Sequence, residues 1–479
     1  MTITDFFALS PLVALAVAAM TVMLAITISR SDRATMALTL AGLGLSLALI
    51  VSVSSLTPRR ITPLLILDRY SLFYMALIVA ASFFVSVLSC DYLRKRGSDR
   101  GEFCLLLLLA TLGAAALVAS AHFASFFMAL ELLSVSLYAL VAYLRHEERS
   151  IEAGVKYLVL AAVSSAFLLF GMALVYAESG TMEFIALSAL TGRGSGVAVL
   201  SGLAMIIVGF GFKLGLVPFH LWTPDVYEGA PAPVTAFVAT VSKGAVFALL
   251  LRYFTVIDLH SSGALGVIFT GIAIASMFTG NLLALMQNNV KRVLAYSSIA
   301  HLGYLLVAFL SAGAMRPAAI AYYFVAYFIT SLGAFGIVSV LSGSERDADM
   351  MEDYRGLAFE RPWLAGVFGA MLLSLAGIPL TAGFVGKFYV AAAGAGSALW
   401  TLLVMLVINS AIGLYYYLRI LFVLYSHPAE QGGRLSAAIP ASFGGSLALA
   451  VLTVLLVWFG VYPSPLIGII QNIAGPLTR

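Results

Sequence analysis

Fourteen apolar blocks divide the chain, near 8–29, 34–55, 70–92, 103–120, 122–144, 152–177, 197–223, 230–255, 263–286, 291–311, 316–342, 361–395, 398–425 and 438–462. A helix rises about 1.5 Å per residue, so about 20 apolar residues cross a hydrocarbon core of about 30 Å. The blocks have that length. They are continuous rather than alternating with period two, which excludes the strands of an outer-membrane barrel. The pattern predicts an all-α polytopic membrane protein of about 14 transmembrane helices, with no room for a sizeable soluble domain.

Two blocks are interrupted in the same way. The stretch MIIVGFGFKLGLVPFHLWTPDVYEG (205–229) sets Gly209, Gly211, Gly215 and Pro218 inside apolar sequence, and SLAGIPLTAGFVGKFYV (374–390) does the same with Gly377, Pro379, Gly383 and Gly386. A proline inside a span removes a donor and frees the carbonyl one turn back. Such breaks are tolerated in a bilayer mainly where they line a cavity or ion path, and a pair of them at corresponding places points to inverted repeats. Taking 103–255 and 263–425 as the two units gives five spans each, with the broken helix fourth. An odd number of spans forces opposite orientations. Residues 1–102 then form three N-terminal helices and 438–479 carries the last.

Composition fits this reading. The chain of 479 residues is 62% hydrophobic and 10% charged, with a mean hydropathy of +1.04. Its net charge of +4 is scattered over loops, with no basic patch to suit nucleic acid. Basic residues favour the odd-numbered connections (Arg30, Arg33, Arg94, Lys95, Arg96, Arg100, Arg145, Arg149, Lys291, Arg292, Arg346, Arg355, Arg361), which predicts that these face the cytoplasm and that both termini face the other side. The N-terminal block carries Asp5 and no early Lys or Arg, and is read as a retained first helix rather than a signal sequence. The polar segments 342–361 and 426–436 are read as solvated connectors or docking surfaces.

Cys90 and Cys104 have no metal-type spacing, and His122, His146, His220, His260, His301 and His427 fall one to a segment. Iron–sulfur or haem ligation would show Cys clusters or paired axial ligands, so no metal site and no path for electrons is expected in this chain. GFGFKLG at 209–215 lacks a dinucleotide fingerprint's spacing, and Gly386-Lys387 lacks the rest of a phosphate-binding loop, so no bound nucleotide is expected either.

The charges left inside the blocks carry the candidate chemistry. Only six of the 26 basic residues are lysines, and Lys213, Lys243 and Lys387 lie well within apolar sequence, whereas arginines keep to loops and span ends. A charged side chain at membrane depth costs roughly 3 kcal/mol and is by default a functional-site hypothesis. Arginine stays protonated, but a lysine's proton affinity falls readily on burial, so a buried lysine can release and regain a proton near neutral pH. Among 22 carboxylates only Glu131 lies near the middle of a span, nine residues or about 13 Å of helix from His122. It is the expected partner of Lys213; separating a buried carboxylate from a lysine favours loss of the lysine's proton.

The predicted row runs Glu131 (fifth span), Lys213 (seventh), Lys243 (eighth), His301 (tenth) and Lys387 (twelfth). Ser297, Ser298 and Tyr304 are placed to hold bridging waters near His301. Lys156, nearer the cytoplasmic end of the sixth span, is read as an access-side or pair-modulating group, and His220, two residues past Pro218, as an imidazole that the broken helix turns toward water. His301 and His220 are each open between a relay role and packing. Lys291, beside Arg292, is read as a loop-side cation, Asp225 and Glu228 as cap or turn residues, and Tyr415, Tyr416 and Tyr417 as packing or an aromatic belt.

The runs KLGLVPFHLWTPDVYEGAPAPVTAFVATVSK (213–243), NVKRVLAYSSIAHLGYLLVA (289–308) and SLAGIPLTAGFVGKFYV (374–390) resemble the subunit N family of bacterial respiratory complex I, the proton-pumping NADH:quinone oxidoreductase, whose mitochondrial counterpart is NADH dehydrogenase subunit two. The resemblance covers essentially the whole chain. It implies fourteen helices with two inverted five-helix repeats, and it places Glu131, Lys213, Lys243 and Lys387 on that family's intramembrane charges. A lysine on the twelfth helix suits subunit N rather than the sister subunit M, which typically has a glutamate there.

The resemblance further implies a proton-translocating, antiporter-like subunit in the bacterial inner membrane. NADH, flavin, iron–sulfur clusters and quinone would be held by other subunits. Partners would be the lipid bilayer, a sister antiporter-like subunit and small membrane subunits leading to the quinone site. The wider family also contains subunits of multi-component sodium/proton antiporters, which is the alternative function.

Overall fold

A computed structural model describes residues 2–191, 196–256, 263–427 and 442–474. Its long helices are α1 (Ser10–Ser29), α2 (Asp32–Val53), α3 (Arg69–Lys95), α4 (Gly101–Val118), α5 (Phe123–Val141), α6 (Glu148–Ser179), α7 (Val197–Leu214) and, after the short α8 (Trp222–Gly229), α9 (Ala232–Val256). There follow α10 (Gly263–Leu285), α11 (Val290–Leu310), α12 (Met315–Leu341), α13 (Pro362–Ala376), α14 (Ala382–Gly396), α15 (Trp400–Tyr425) and α16 (Phe443–Val461). Thirteen helices among the described residues are long and apolar enough to cross a membrane. The remaining expected span, 361–395, is two 15-residue helices, α13 and α14, on either side of a break. Most of segment 426–436 lies outside the described residues.

Both breaks are built from glycine. α7 stops where Gly215 turns left-handed (φ 72°), and α13 stops at Gly377 (φ 87°). Only glycine adopts that conformation without a steric cost. The carbonyls freed at the end of α7 are taken up by Leu216 N–H on Gly211 O at 2.8 Å and by the Trp222 indole on Phe212 O at 2.8 Å. After the second break the Thr381 hydroxyl caps α14 by accepting from Phe384 N–H at 3.4 Å.

α9 and α11 are buried along nearly all of their length and form the centre of the bundle, with α12 beside them. In α9 the backbone widens into a π turn over Val238–Ser242, directly before Lys243. Such turns shift the register of the residues that follow and are frequent at functional sites.

The connections sort to two ends. At one end the Arg96 guanidinium reaches Asp347 at 2.8 Å and also Glu147, Tyr92 donates to Asp347 at 2.7 Å, and Lys291 donates to Asp347 at 2.7 Å. At the other, Arg60 of the small ribbon β1 (Arg59–Arg60) and β2 (Ile66–Leu67) meets Glu183 at 2.8 Å. The odd-numbered loops richest in basic residues therefore do share one end.

Two expectations are corrected here. Segment 342–361 is not simply a solvated connector: Ala348, Asp349, Met351 and Tyr354 are buried, and Asn289 and Met350 form a β-bridge. The reason is that Asp347 neutralises cations that the packed helices cannot leave alone. Lys291 is likewise no exposed loop cation. It is 1% exposed and donates both to Asp347 and, at 2.7 Å, to Ala230 O between α8 and α9.

Candidate functional site

Glu131 on α5, Lys213 on α7, Lys243 on α9, His301 on α11 and Lys387 on α14 are all brought into the bundle interior. The central three are nearly inaccessible, Lys213 at 5%, Lys243 at 0% and His301 at 5% exposure, while Glu131 and Lys387 are partly accessible at the two ends of the row.

The expected contact between Glu131 and Lys213 is not a direct ion pair in this structure. Lys213 Nζ donates to Ser134 Oγ at 2.7 Å, and Glu131 Oε1 accepts from Ser165 Oγ at 2.6 Å. Ser134 lies one helical turn beyond Glu131 on α5, so a hydroxyl stands on the same helix face as the carboxylate.

Lys243 sits against the break in α7. Its Nζ donates to Ser298 Oγ on α11 at 2.8 Å and lies 5.1 Å from the Tyr227 ring and 5.9 Å from the Trp222 ring, both on α8. Aromatic faces attract an ammonium without fixing its proton. A Cβ on Gly215 would lie 3.5 Å from this Nζ and only 2.4 Å from Thr223 Oγ1. Glycine is thus required for the left-handed turn and for the close packing of Thr223 against it, while the lysine is in ordinary contact range.

His301 is held from both ring nitrogens. Nδ1 meets Tyr323 Oη on α12 at 2.6 Å, and Nε2 meets Tyr417 Oη on α15 at 3.2 Å. Tyr417 Oη is also bonded to Ser297 Oγ. Every partner of the ring is itself both donor and acceptor.

Lys387 closes the row at the second break. Its Nζ donates to Ala376 O at 2.8 Å, at the C-terminal end of α13, where the helix dipole favours a cation. It lies 5.2 Å from the Tyr304 ring. The two broken helices are therefore not used identically: Lys213 precedes its break, whereas Lys387 follows its own and reaches back to it.

Two sequence candidates lie off this row. Lys156 is 43% exposed and pairs with Glu152 at 2.7 Å and Asp225 at 2.9 Å. It borders a surface cavity of about 250 Å³ with Arg149, Glu228 and Arg292. His220 is buried on the turn between α7 and α8, and its Nδ1 has no hydrogen-bond partner among the described residues. Asp225 and Glu228 do more than cap a turn: Arg292 bonds them at 2.9 and 2.7 Å.

Sequence reasoning missed Ser134, Ser165 and Tyr323, and assigned Tyr417 to packing. Serines are common in spanning helices, where their hydroxyls bond back to the preceding turn, so nothing in the sequence singled these out. Only Tyr415 of the three tyrosines faces outward, at 65% exposure, as an aromatic belt requires. Among the described residues no group of three or more His, Cys, Asp or Glu side chains is placed to hold a metal ion.

Broken helices that carry buried lysines through the centre of an all-helical, membrane-crossing bundle define a polytopic membrane protein of the antiporter-like class. Residues 120–413 match the family described as NADH:quinone oxidoreductase/Mrp antiporter, transmembrane. The NADH-quinone oxidoreductase subunit N of Nitrosospira multiformis is 52% identical over 99% of this chain and 97% of its own length. That of Ectopseudomonas mendocina is 47% identical over the same shares. The chain belongs to the NADH-quinone oxidoreductase subunit N family.

A chain in the structure of respiratory complex I from Thermus thermophilus superposes with a TM-score of 0.82 at 32% identity, covering 96% of this chain and 98% of that one. A chain of the Mrp complex from Dietzia sp. DQ12-45-1b gives a TM-score of 0.87, covering 100% of this chain and 98% of that one; at 19% identity this shows a shared fold alone.

Proposed function

We propose that this chain is a proton-translocating, antiporter-like membrane subunit of a respiratory NADH:quinone oxidoreductase, with no redox centre of its own. The observation that carries the reading is the row itself: Lys213, Lys243 and His301, buried in the middle of the bundle, and the half-buried Lys387 at its end, bonded mainly to neutral hydroxyls and a helix-end carbonyl. A lysine locked against a carboxylate is a structural cation; one held by a serine retains the freedom to lose its proton. Energy released by quinone reduction elsewhere in the complex shifts Glu131 and Lys213 between separate and paired arrangements. A proton then passes by Lys243 and His301 with bridging waters and leaves at Lys387.

In this reading residues 103–255 and 263–425 are the inverted repeats. The glycine breaks after Leu214 and Ala376, each in the fourth span of its unit, support that division. The end bearing Arg96, Lys291 and Asp347 faces the cytoplasm of a bacterial inner membrane, and both termini face the periplasm. Glu131 and Lys387, partly accessible here, lie where neighbouring membrane subunits cover them, a sister antiporter-like subunit among them. NADH, flavin, iron–sulfur clusters and quinone belong to other subunits.

The test is Lys213→Ala and Glu131→Ala in the assembled enzyme, reconstituted in vesicles. Loss of quinone-linked NADH oxidation and proton pumping, with assembly intact, is expected. Unchanged turnover and pumping would sink the proposal, and sodium-dependent exchange by the isolated chain would point instead to a sodium/proton antiporter subunit.

A further inference from the structure

We infer that Tyr417 is a proton-carrying residue of the row, passing protons between Ser297 and His301. This rests on the proton-translocating reading above and names a member of the row that the lysine pattern does not contain.

The geometry comes from three helices. Ser297 and His301 are one turn apart on α11, so their side chains share a face, and the Tyr417 hydroxyl on α15 is bonded to both Ser297 Oγ and His301 Nε2. It is 1% exposed, in a chain whose neighbouring tyrosine on the lipid side is 65% exposed. The position is fixed from behind by Tyr416, whose ring lies 4.4 Å from that of Tyr417 and whose hydroxyl donates to Asn281 Oδ1 at 3.0 Å. Tyr416 is thereby committed to an amide on α10, while Tyr417 is left with two partners that each donate and accept.

A hydrogen-bonded chain conducts protons only if every member can give one proton while taking another. Hydroxyls and a neutral imidazole meet that condition, and amides do not. In one step the Tyr417 O–H bond breaks as His301 Nε2–H forms, and Ser297 gives its hydroxyl proton to Tyr417 Oη. Ser297 is reloaded by water from the protonated Lys243, whose Nζ is bonded to the adjacent Ser298. The resulting imidazolium gives its Nδ1 proton to Tyr323 Oη, which is 2.6 Å away and releases its own proton onward. One proton has moved, and Tyr417 is neutral again.

Beyond His301 the structure holds a small cavity of about 10 Å³, lined by His301, Tyr323, Thr330, Ser374 and Gly383. It reaches the last turn of α13, whose Ala376 carbonyl holds Lys387. The chain through Tyr417 therefore leads toward the terminal lysine.

The experiment is Tyr417→Phe in the assembled complex, with Lys243→Ala and the outward-facing Tyr415→Phe alongside. Pumping and quinone-linked turnover are measured in vesicles, in water and in deuterium oxide, with assembly followed by native electrophoresis. Phenylalanine keeps the ring and its packing. Turnover is expected to fall by about tenfold or more, because a positioned proton carrier contributes ~10²–10⁴-fold to the step it serves while other steps share control of the rate. The solvent isotope effect is expected to rise, which a structural role would not produce.

Normal pumping by Tyr417→Phe beside a dead Lys243→Ala would overturn the role of Tyr417 and leave the subunit reading standing. Normal pumping by both would overturn both. If Tyr417→Phe fails to assemble, Ser297→Ala removes one of the same hydrogen bonds without touching the ring and decides the matter by the same readouts.

Discussion

Lys213 Nζ is bonded to Ser134 Oγ at 2.7 Å, one turn along α5 from Glu131, which is itself bonded to Ser165. In the proposed cycle the serine competes with the carboxylate for the lysine. Ser134→Ala is expected to favour the paired arrangement and to lower pumping by about tenfold, the size of a lost hydrogen bond to a charge at ~1.5–3 kcal/mol. Lys213→Ala should lower it further. Pumping by reconstituted variants, normalised to assembled complex, checks the order; a Ser134→Ala enzyme as active as the parent would show that the contact does not matter.

The two break glycines are expected to differ when replaced by alanine. Gly215→Ala adopts a left-handed residue at about 1–2 kcal/mol and sets its Cβ 2.4 Å from Thr223 Oγ1, so the assembled complex should melt at a lower temperature. At Gly377 the nearest atom is Lys387 Cδ at 2.8 Å, on a flexible side chain. Gly377→Ala should therefore displace Lys387 and impair pumping beyond what the backbone strain costs in stability. Thermal melts and pumping measured on both variants separate the two.

Asp347 binds Lys291, Arg96 and Tyr92 together. Asp347→Asn leaves buried Lys291 without a carboxylate and Arg96 with Glu147 alone, an expected loss of about 3–5 kcal/mol. The pH dependence has a definite sign. Burial raises the proton affinity of Asp347, but Lys291 and Arg96 outweigh it and hold the carboxyl below its ordinary range. Its stabilisation is full above the unfolded value of about 3.9 and is lost as pH falls through the folded one. The gap in melting temperature between parent and variant should stay constant at neutral pH and close only in acid. Asp349 goes the other way, since burial raises it, so its contribution to stability grows as the pH falls.

Arg252 on α9 and Asp68 at the start of α3 form a buried pair with both contacts at 2.9 Å. Arg252→Met should destabilise by about 3–5 kcal/mol by stranding the carboxylate, while adding Asp68→Leu should recover most of it. A double-mutant cycle on melting temperature tests this, and equal losses in the single and double variants would contradict it.

The number of crossings, the two breaks and the positions of the intramembrane lysines could be read from the residues alone, because bilayer thickness, glycine and proline geometry and the cost of a charge in hydrocarbon all act locally along the chain. Glu131, Lys213, Lys243, His301 and Lys387 were legible for that reason. The partners were not. Ser134 and Tyr417 carry residue types found throughout spanning helices, and what distinguishes them is which helix faces which, decided by packing between segments up to 120 residues apart. The same holds for segment 342–361, whose polar composition reads as solvated until Asp347 is seen to neutralise Arg96 and Lys291. Tertiary structure alone decided that Lys213 faces a hydroxyl rather than a carboxylate, since a one-turn difference along α5 is invisible until α5 and α7 are packed.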